Sequence, residues 1–173
     1  MRIGFFGGTF DPPHRGHVRL AALTREQLSL DLVEVIPSFE PPHRSRVVAD
    51  PYERFAMVVL ACRDEPGLIP SAREIRRGGV SYTVDTLRDV ARENPGAELV
   101  LIVGADSYDD LPSWKEPEEI RRLSQIAVVD REGARGPGSS SSAHGVTRID
   151  DGKGPVWLVE APLIPVSARD IRR

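Results

Sequence analysis

Short apolar runs alternate along this chain with longer stretches whose apolar residues recur every three or four positions. The runs are RIGFF (2–6), LVEVIP (32–37), ELVLIVG (98–104), QIAVVD (125–130) and VWLVE (156–160). Their length and their β-branched and aromatic content predict strands, some buried on both faces. Between them, residues 15–28 set Val18, Ala22 and Leu28 among charged neighbours. Residues 51–63 start at Pro51 and carry Phe55, Val58, Val59 and Cys62 at helical spacing, and residues 82–93 align Val84, Leu87, Val90 and Ala91. Each predicts a helix with one apolar side. Strand alternating with helix predicts an α/β fold, a doubly wound parallel sheet with helices on both faces. Such sheets bind ligands at the carboxyl ends of their strands, near the point where strand order reverses. The pattern breaks at 131–155, REGARGPGSSSSAHGVTRIDDGKGP, where twelve of 25 positions are Gly, Ser or Pro. A flexible surface excursion is expected there rather than a second domain, with His144 an exposed loop residue.

Composition narrows the picture. A chain of 173 residues can build a core without disulfide or metal staples, and one domain over 1–173 is expected. With 40% hydrophobic and 28% charged residues it fits the globular class. A net charge of −3 excludes the overall basic field that drives non-specific nucleic-acid binding, so no nucleic-acid partner is expected. Arginine outnumbers lysine twenty-one to two, so phosphate contacts should come from guanidinium forks. The single cysteine, Cys62, excludes an intramolecular disulfide and a Cys-rich zinc site, and its apolar setting predicts inert core. No leader pattern opens the sequence, and no apolar run approaches ~18–20 residues, so a cytoplasmic protein with no membrane partner is expected. A homo-oligomer is left open.

The chemistry concentrates in GGTFDPPHRGH (7–17), which follows the first strand and enters the first helix. The N–H groups and dipole of a helix start favour an anion there. Gly7 and Gly8 let a phosphate approach the main chain, and Gly16 leaves space between His14 and His17, which sit at i and i+3. Two imidazoles at a helix start suit a phosphoryl group on which charge is building. A zinc site would need a third ligand, and no Cys, Glu or further His is nearby. At the other end, PVSARDIRR (165–173) predicts a terminal helix with Ser167 as N-cap and Asp170 as a variant capping box. Taken alone it fits equally a capped helix with a solvated basic face and a second anion cradle in which Arg172 grips outer phosphates. In LIVGADSYDDLPSWKE (101–116), a strand ends at Gly104 and Asp106 follows, a place where an acidic side chain accepts from ribose hydroxyls. Trp114, in a polar Pro-containing segment, reads as a stacking platform or as core packing. Ser81, Tyr82 and Thr83 precede a helix and offer a further start to an anionic or carbonyl group. The loop IPSFEPPHR (36–44) carries His43 and Arg44, placed for a phosphate or simply for solvent.

GGTFDPPHRGH resembles the signature of the HxGH nucleotidyltransferases. With SYTVDTL, GADSYDDLPSW and VSARDIR in the same order, the chain is similar to the bacterial nicotinate-nucleotide adenylyltransferase family from residue 3 to 172. The resemblance implies a Rossmann-like sheet and adenylyl transfer: ATP and nicotinate mononucleotide give deamido-NAD and pyrophosphate, with Mg²⁺ carried on ATP, and without a covalent enzyme intermediate. It implies that His14, His17 and Arg172 are catalytic. Gly8, Thr9, His14, His17, Gly104, Asp106, Ser167 and Arg172 would bind ATP. Thr83, Trp114, Tyr82 and Arg44 would bind the mononucleotide, and no dedicated metal ligand is implied. Three positions depart from the family pattern. Arg169 stands where a Thr is usual, Arg44 where a Lys is common, and the sequence ends at Arg173 where relatives run on with a segment rich in Tyr, Pro and Val. A phosphopantetheine adenylyltransferase would share the phosphate motifs but has no use for SYTVDTL and Trp114. A nucleotide-binding regulator without turnover is the alternative of a different class, hinted at only by Arg169.

Overall fold

The computed structural model describes residues 1–42, 47–131, 146–162 and 165–172. Seven strands form one sheet: β1 (Arg2–Gly8), β2 (Leu32–Pro37), β3 (Leu68–Pro70), β4 (Glu98–Gly104), β5 (Gln125–Arg131), β6 (Val146–Asp150) and β7 (Pro155–Ala161). Their order is β3-β2-β1-β4-β5-β7-β6, and every pairing is parallel except β6 with β7. The chain winds outward from β1 to β3, then returns past β1 to β4. Strand order therefore reverses between β1 and β4, whose carboxyl ends are Gly8 and Gly104.

Alternation along the central strands builds two cores. On β4, Val100 and Ile102 face one side, with Phe6, Ala21, Val33 and Val58. Leu99, Leu101 and Val103 face the other, with Phe5, Val84, Leu87 and Ile120. Burial on both faces is what a continuous apolar run such as LVLIV requires. The helices are α1 (Arg15–Gln27), α2 (Pro51–Cys62), α3 (Arg73–Arg77), α4 (Thr83–Glu93), α5 (Ala105–Asp109), α6 (Pro117–Leu123) and α7 (Ala168–Ile171). Helix α2 starts where Pro51 predicts. Asp50 caps it, accepting from the N–H of Tyr52 at 2.7 Å and of Glu53 at 2.9 Å, while Glu53 accepts from Asp50 N–H at 3.0 Å. Among the described residues no helix is long and apolar enough to cross a membrane.

Two expectations need correction. The excursion over 131–155 is not structureless at its ends: β5 runs to Arg131, Val146–Asp150 forms β6, and β7 begins at Pro155. Pairing with β7 covers what would otherwise be an open sheet edge, and Arg148 lies 5.5 Å over the Trp157 ring. His144 lies outside the described residues. On α2 the inward line is Arg54, Val58 and Cys62, whereas Val59 is exposed. Cys62 is buried as expected, and burial with the nearby Glu65 charge pushes its thiol up to about 11, which leaves it unreactive.

Candidate active site at the strand-order reversal

The β1–α1 junction carries the first group of site residues. Gly8 ends β1, and a Cβ there would stand 3.0 Å from the Phe10 ring. His14 is the extended N-cap of α1 rather than part of its first turn, and His17 is the third helical residue. Their rings stack at 3.6 Å between centroids. The backbone N–H of His14 donates to His17 Nδ1 at 3.2 Å. That bond makes Nδ1 the acceptor, so a neutral His17 carries its proton on Nε2. Phe10, itself buried, stands edge-on to the His17 ring at 5.2 Å and fixes its tilt.

The terminal segment meets this junction across the whole chain. Arg172 Nη1 donates to the Asp11 carbonyl and lies 3.8 Å from the Asp11 carboxylate. Val166 packs beside Gly16, so 165–172 lies against the start of α1. Ser167 caps α7 as predicted, accepting from Asp170 N–H at 3.2 Å. Its hydroxyl also donates to the Asp170 carboxylate at 2.5 Å, so the cap occupies the group assigned to phosphate. Asp11 is buried. Burial alone would raise its carboxyl, but bonds from Val48 N–H at 2.9 Å and Ala49 N–H at 3.2 Å, with the Arg172 and Arg54 charges, hold it below the usual value.

Beside the junction lies a pocket of about 240 Å³. Gly7, Gly8 and Thr9 form one wall, Ser81, Tyr82 and Thr83 another, and Trp114 with Lys115 a third. Tyr82 is the N-cap of α4 and Thr83 its first residue, which places this helix start at the pocket. Trp114 is half-buried: it packs against the core cluster that includes Val103 and Leu111 and also lines the pocket. Lys115 Nζ sits 4.6 Å over the Tyr82 ring and 2.9 Å from Asp85. Gly104 is the N-cap of α5 and Asp106 lies in its exposed first turn, at the end of β4. Arg44 and His43 lie outside the described residues.

Three residues of the site were not read from the sequence. Glu74, on α3, is buried in the pocket wall, accepting from Thr86 Oγ1 at 2.8 Å and bonded to Ser81. The Ser38 hydroxyl is buried in the same wall without a hydrogen-bond partner among the described residues. Arg54 is buried beneath the β1–α1 loop. Its i, i+4, i+8 spacing with Val58 and Cys62 is the one sequence signal that could have found it.

A family model described as cytidylyltransferase-like matches residues 5–173. A probable nicotinate-nucleotide adenylyltransferase of Thermomicrobium roseum is 40% identical over 173 residues, covering 99% of this chain and 79% of that protein. A second of the same description, from Marinobacter nauticus, is 39% identical and covers 97% of this chain and 82% of its own. The solved structure of a Plasmodium falciparum nicotinic acid mononucleotide adenylyltransferase complexed with NaAD superposes with a TM-score of 0.75. It covers 99% of this chain and 82% of that one at 16% identity, a likeness of fold.

Proposed function

The chain belongs to the cytidylyltransferase-like family, and on that premise we propose that it transfers the adenylyl group of ATP to nicotinate mononucleotide, releasing deamido-NAD and pyrophosphate. The observation that carries this reading is the pocket shared by the β1–α1 loop and the start of α4. It sets the phosphate-type loop at Gly8 and Thr9 against an aromatic wall at Trp114 and Tyr82. Two relatives described as probable nicotinate-nucleotide adenylyltransferases, matched over nearly the whole chain, support it.

In this reading the mononucleotide phosphate oxygen attacks the α-phosphorus of ATP, the new P–O bond forms, and the bond to the β-phosphate bridge breaks. An ionised phosphate needs no general base, so alignment and charge stabilisation carry the rate. His17 Nε2–H and His14 donate to the oxygens of the transferred group, and Gly8 and Thr9 line its path. Arg172, with Ser167 beside it, takes the leaving pyrophosphate, which requires the guanidinium to leave the Asp11 carbonyl. Gly104 and Asp106 hold the ribose. Thr83 and the amides at the α4 start take the nicotinate carboxylate, and Trp114 stacks on the pyridine ring, with the Ser38 hydroxyl a further donor in that wall. Arg44 is assigned to the mononucleotide phosphate.

The donor set fits a metal carried by the nucleotide. Imidazoles, guanidinium and hydroxyls bind phosphate oxygens, and Asp11 already accepts two backbone N–H bonds. Among the described residues no group of three His, Cys, Asp or Glu could hold a metal ion. Carried on the triphosphate oxygens, Mg²⁺ would neutralise their charge. The test is pyrophosphate release from ATP with nicotinate mononucleotide and, separately, with its amide counterpart. Faster turnover with the acid supports carboxylate recognition at the α4 start. No turnover with either removes the reading.

A further inference from the structure

Arg54 lies on the inward side of α2 and is 1% exposed, so its guanidinium must find partners inside the protein. It finds main-chain carbonyls. Nη1 donates to Thr9 O at 2.7 Å, Nη2 to Phe39 O at 3.0 Å, and Nε to Ala49 O at 3.2 Å. These carbonyls belong to three different segments: the loop after β1, the loop after β2, and the lead into α2. The contact is reciprocated, because Asp11 in the first loop accepts from the N–H groups of Val48 and Ala49. The second loop is tied onward, since Phe39 N–H donates to Ser81 Oγ at 2.9 Å at the edge of the mononucleotide wall. One rigid fork thus sits in the chain of bonds Thr9–Arg54–Phe39–Ser81 that spans the pocket from its phosphate side to its pyridine side.

We propose that Arg54 is a positioning residue for adenylyl transfer, setting the β1–α1 phosphate loop in register with the start of α4. The inference rests on the functional reading above. A peptide unit is planar, so a fixed Thr9 carbonyl fixes the plane of the following amide and with it the course of the loop toward Phe10. Lysine cannot substitute for the fork, because a single ammonium lacks the planar geometry that reaches three carbonyls at once. In-line transfer between two bound anions is sensitive to small displacements, and a shift of ~1 Å costs about 100-fold in rate. The effect belongs to the alignment of bound substrates, so kcat should move more than either KM.

The experiment compares Arg54→Lys and Arg54→Met with the native chain in three measurements: thermal melting, steady-state pyrophosphate release, and amide hydrogen exchange in peptides covering 7–10 and 38–40. The expected result for Arg54→Lys is a folded protein whose kcat per folded molecule falls about 10-fold or more. KM for each substrate should move less than kcat, and exchange should be faster in both peptides. Arg54→Met should be at least as impaired. A lower Tm with unchanged kcat per folded molecule would overturn the proposal and leave Arg54 a purely structural residue. Failure of both variants to fold would overturn it too, because the residue would then be a requirement of the fold. If the native chain itself releases no pyrophosphate, the functional reading fails. The exchange data then decide separately whether Arg54 orders the two loops.

Discussion

An alanine at Gly16 would add a Cβ 3.0 Å from both Cε1 and Nδ1 of the His14 ring. The ring cannot retreat toward His17, because the two imidazoles already stack at 3.6 Å. It must rotate away, and an off-rotamer shift of ~30° costs about 0.5–1.5 kcal/mol. Against that, alanine is preferred over glycine within a helix by up to about 1 kcal/mol, and Gly16 lies in the first turn of α1. The two terms nearly cancel. Net stability should change by no more than about 1 kcal/mol, which for a chain of this length is about 2–4 °C in Tm. Catalysis has no such compensation. A displaced His14 breaks the stacked pair at the helix start, and kcat should fall by about 10- to 100-fold. Pyrophosphate release at saturating ATP and mononucleotide, run beside a thermal melt, separates the two effects. Adding Gly16→Ala to His14→Ala should then produce little further loss, since both act through one ring. A kcat within about twofold of native would refute the claim that this glycine clears space for the imidazole pair. So would a collapse in Tm that accounts for the lost activity.

Other outcomes follow from the same geometry. His17→Ala should lower kcat by about 100-fold or more while calorimetric binding of nicotinate mononucleotide stays nearly intact; near-normal turnover would refute its role as a phosphoryl donor. Trp114→Ala should raise KM for the mononucleotide about 10-fold and leave KM for ATP nearly unchanged, with Trp114→Phe intermediate; equal shifts in both would return Trp114 to core packing alone. Burial, opposed by bonds from Thr86 and Ser81 and by the Arg77 and Arg73 charges, pushes the Glu74 carboxyl above its ordinary value. Its contribution to stability is therefore complete below the ordinary carboxylate range and is lost as pH rises through the higher folded value. Glu74→Gln keeps the shape without the charge, so the Tm of the variant relative to native should become more favourable from about pH 4 to pH 8. A difference that stays flat over that range would refute the assignment.

The elements and residues legible in the sequence are those whose causes are local. Strand β4 matches its predicted limits because its unbroken apolar run is covered on both faces of the sheet, and β2 matches with Glu34 in its middle paired to Arg73. Helix α4 matches because Val84, Leu87 and Val90 repeat at helical spacing and are all buried. Strand β3 has three residues and helices α3 and α5 have five each, too few for any period to show. Strand β6 owes its existence to the neighbouring edge of β7 rather than to its own polar composition. The site divides along the same line. Gly8, Thr9, His14 and His17 lie within one loop and one turn, so their spacing could be read directly. Whether Arg172 reaches that loop depends on a contact 161 residues away in sequence, and terminal spacing alone left two readings of it. Arg54 was missed for a stronger reason. An apolar period assigns Val59 to the inward side of α2 because Val is apolar. The folded chain instead turns a guanidinium inward, since carbonyls of Thr9, Phe39 and Ala49 converge there with no other donor pattern suited to all three. A hydrophobicity pattern weighs the cost of burying a charge and has no access to the partners that offset it. Two of those partners, Thr9 and Phe39, sit in the loops after β1 and β2 that border the candidate active site, so the failure of the pattern at Arg54 is itself a pointer to function.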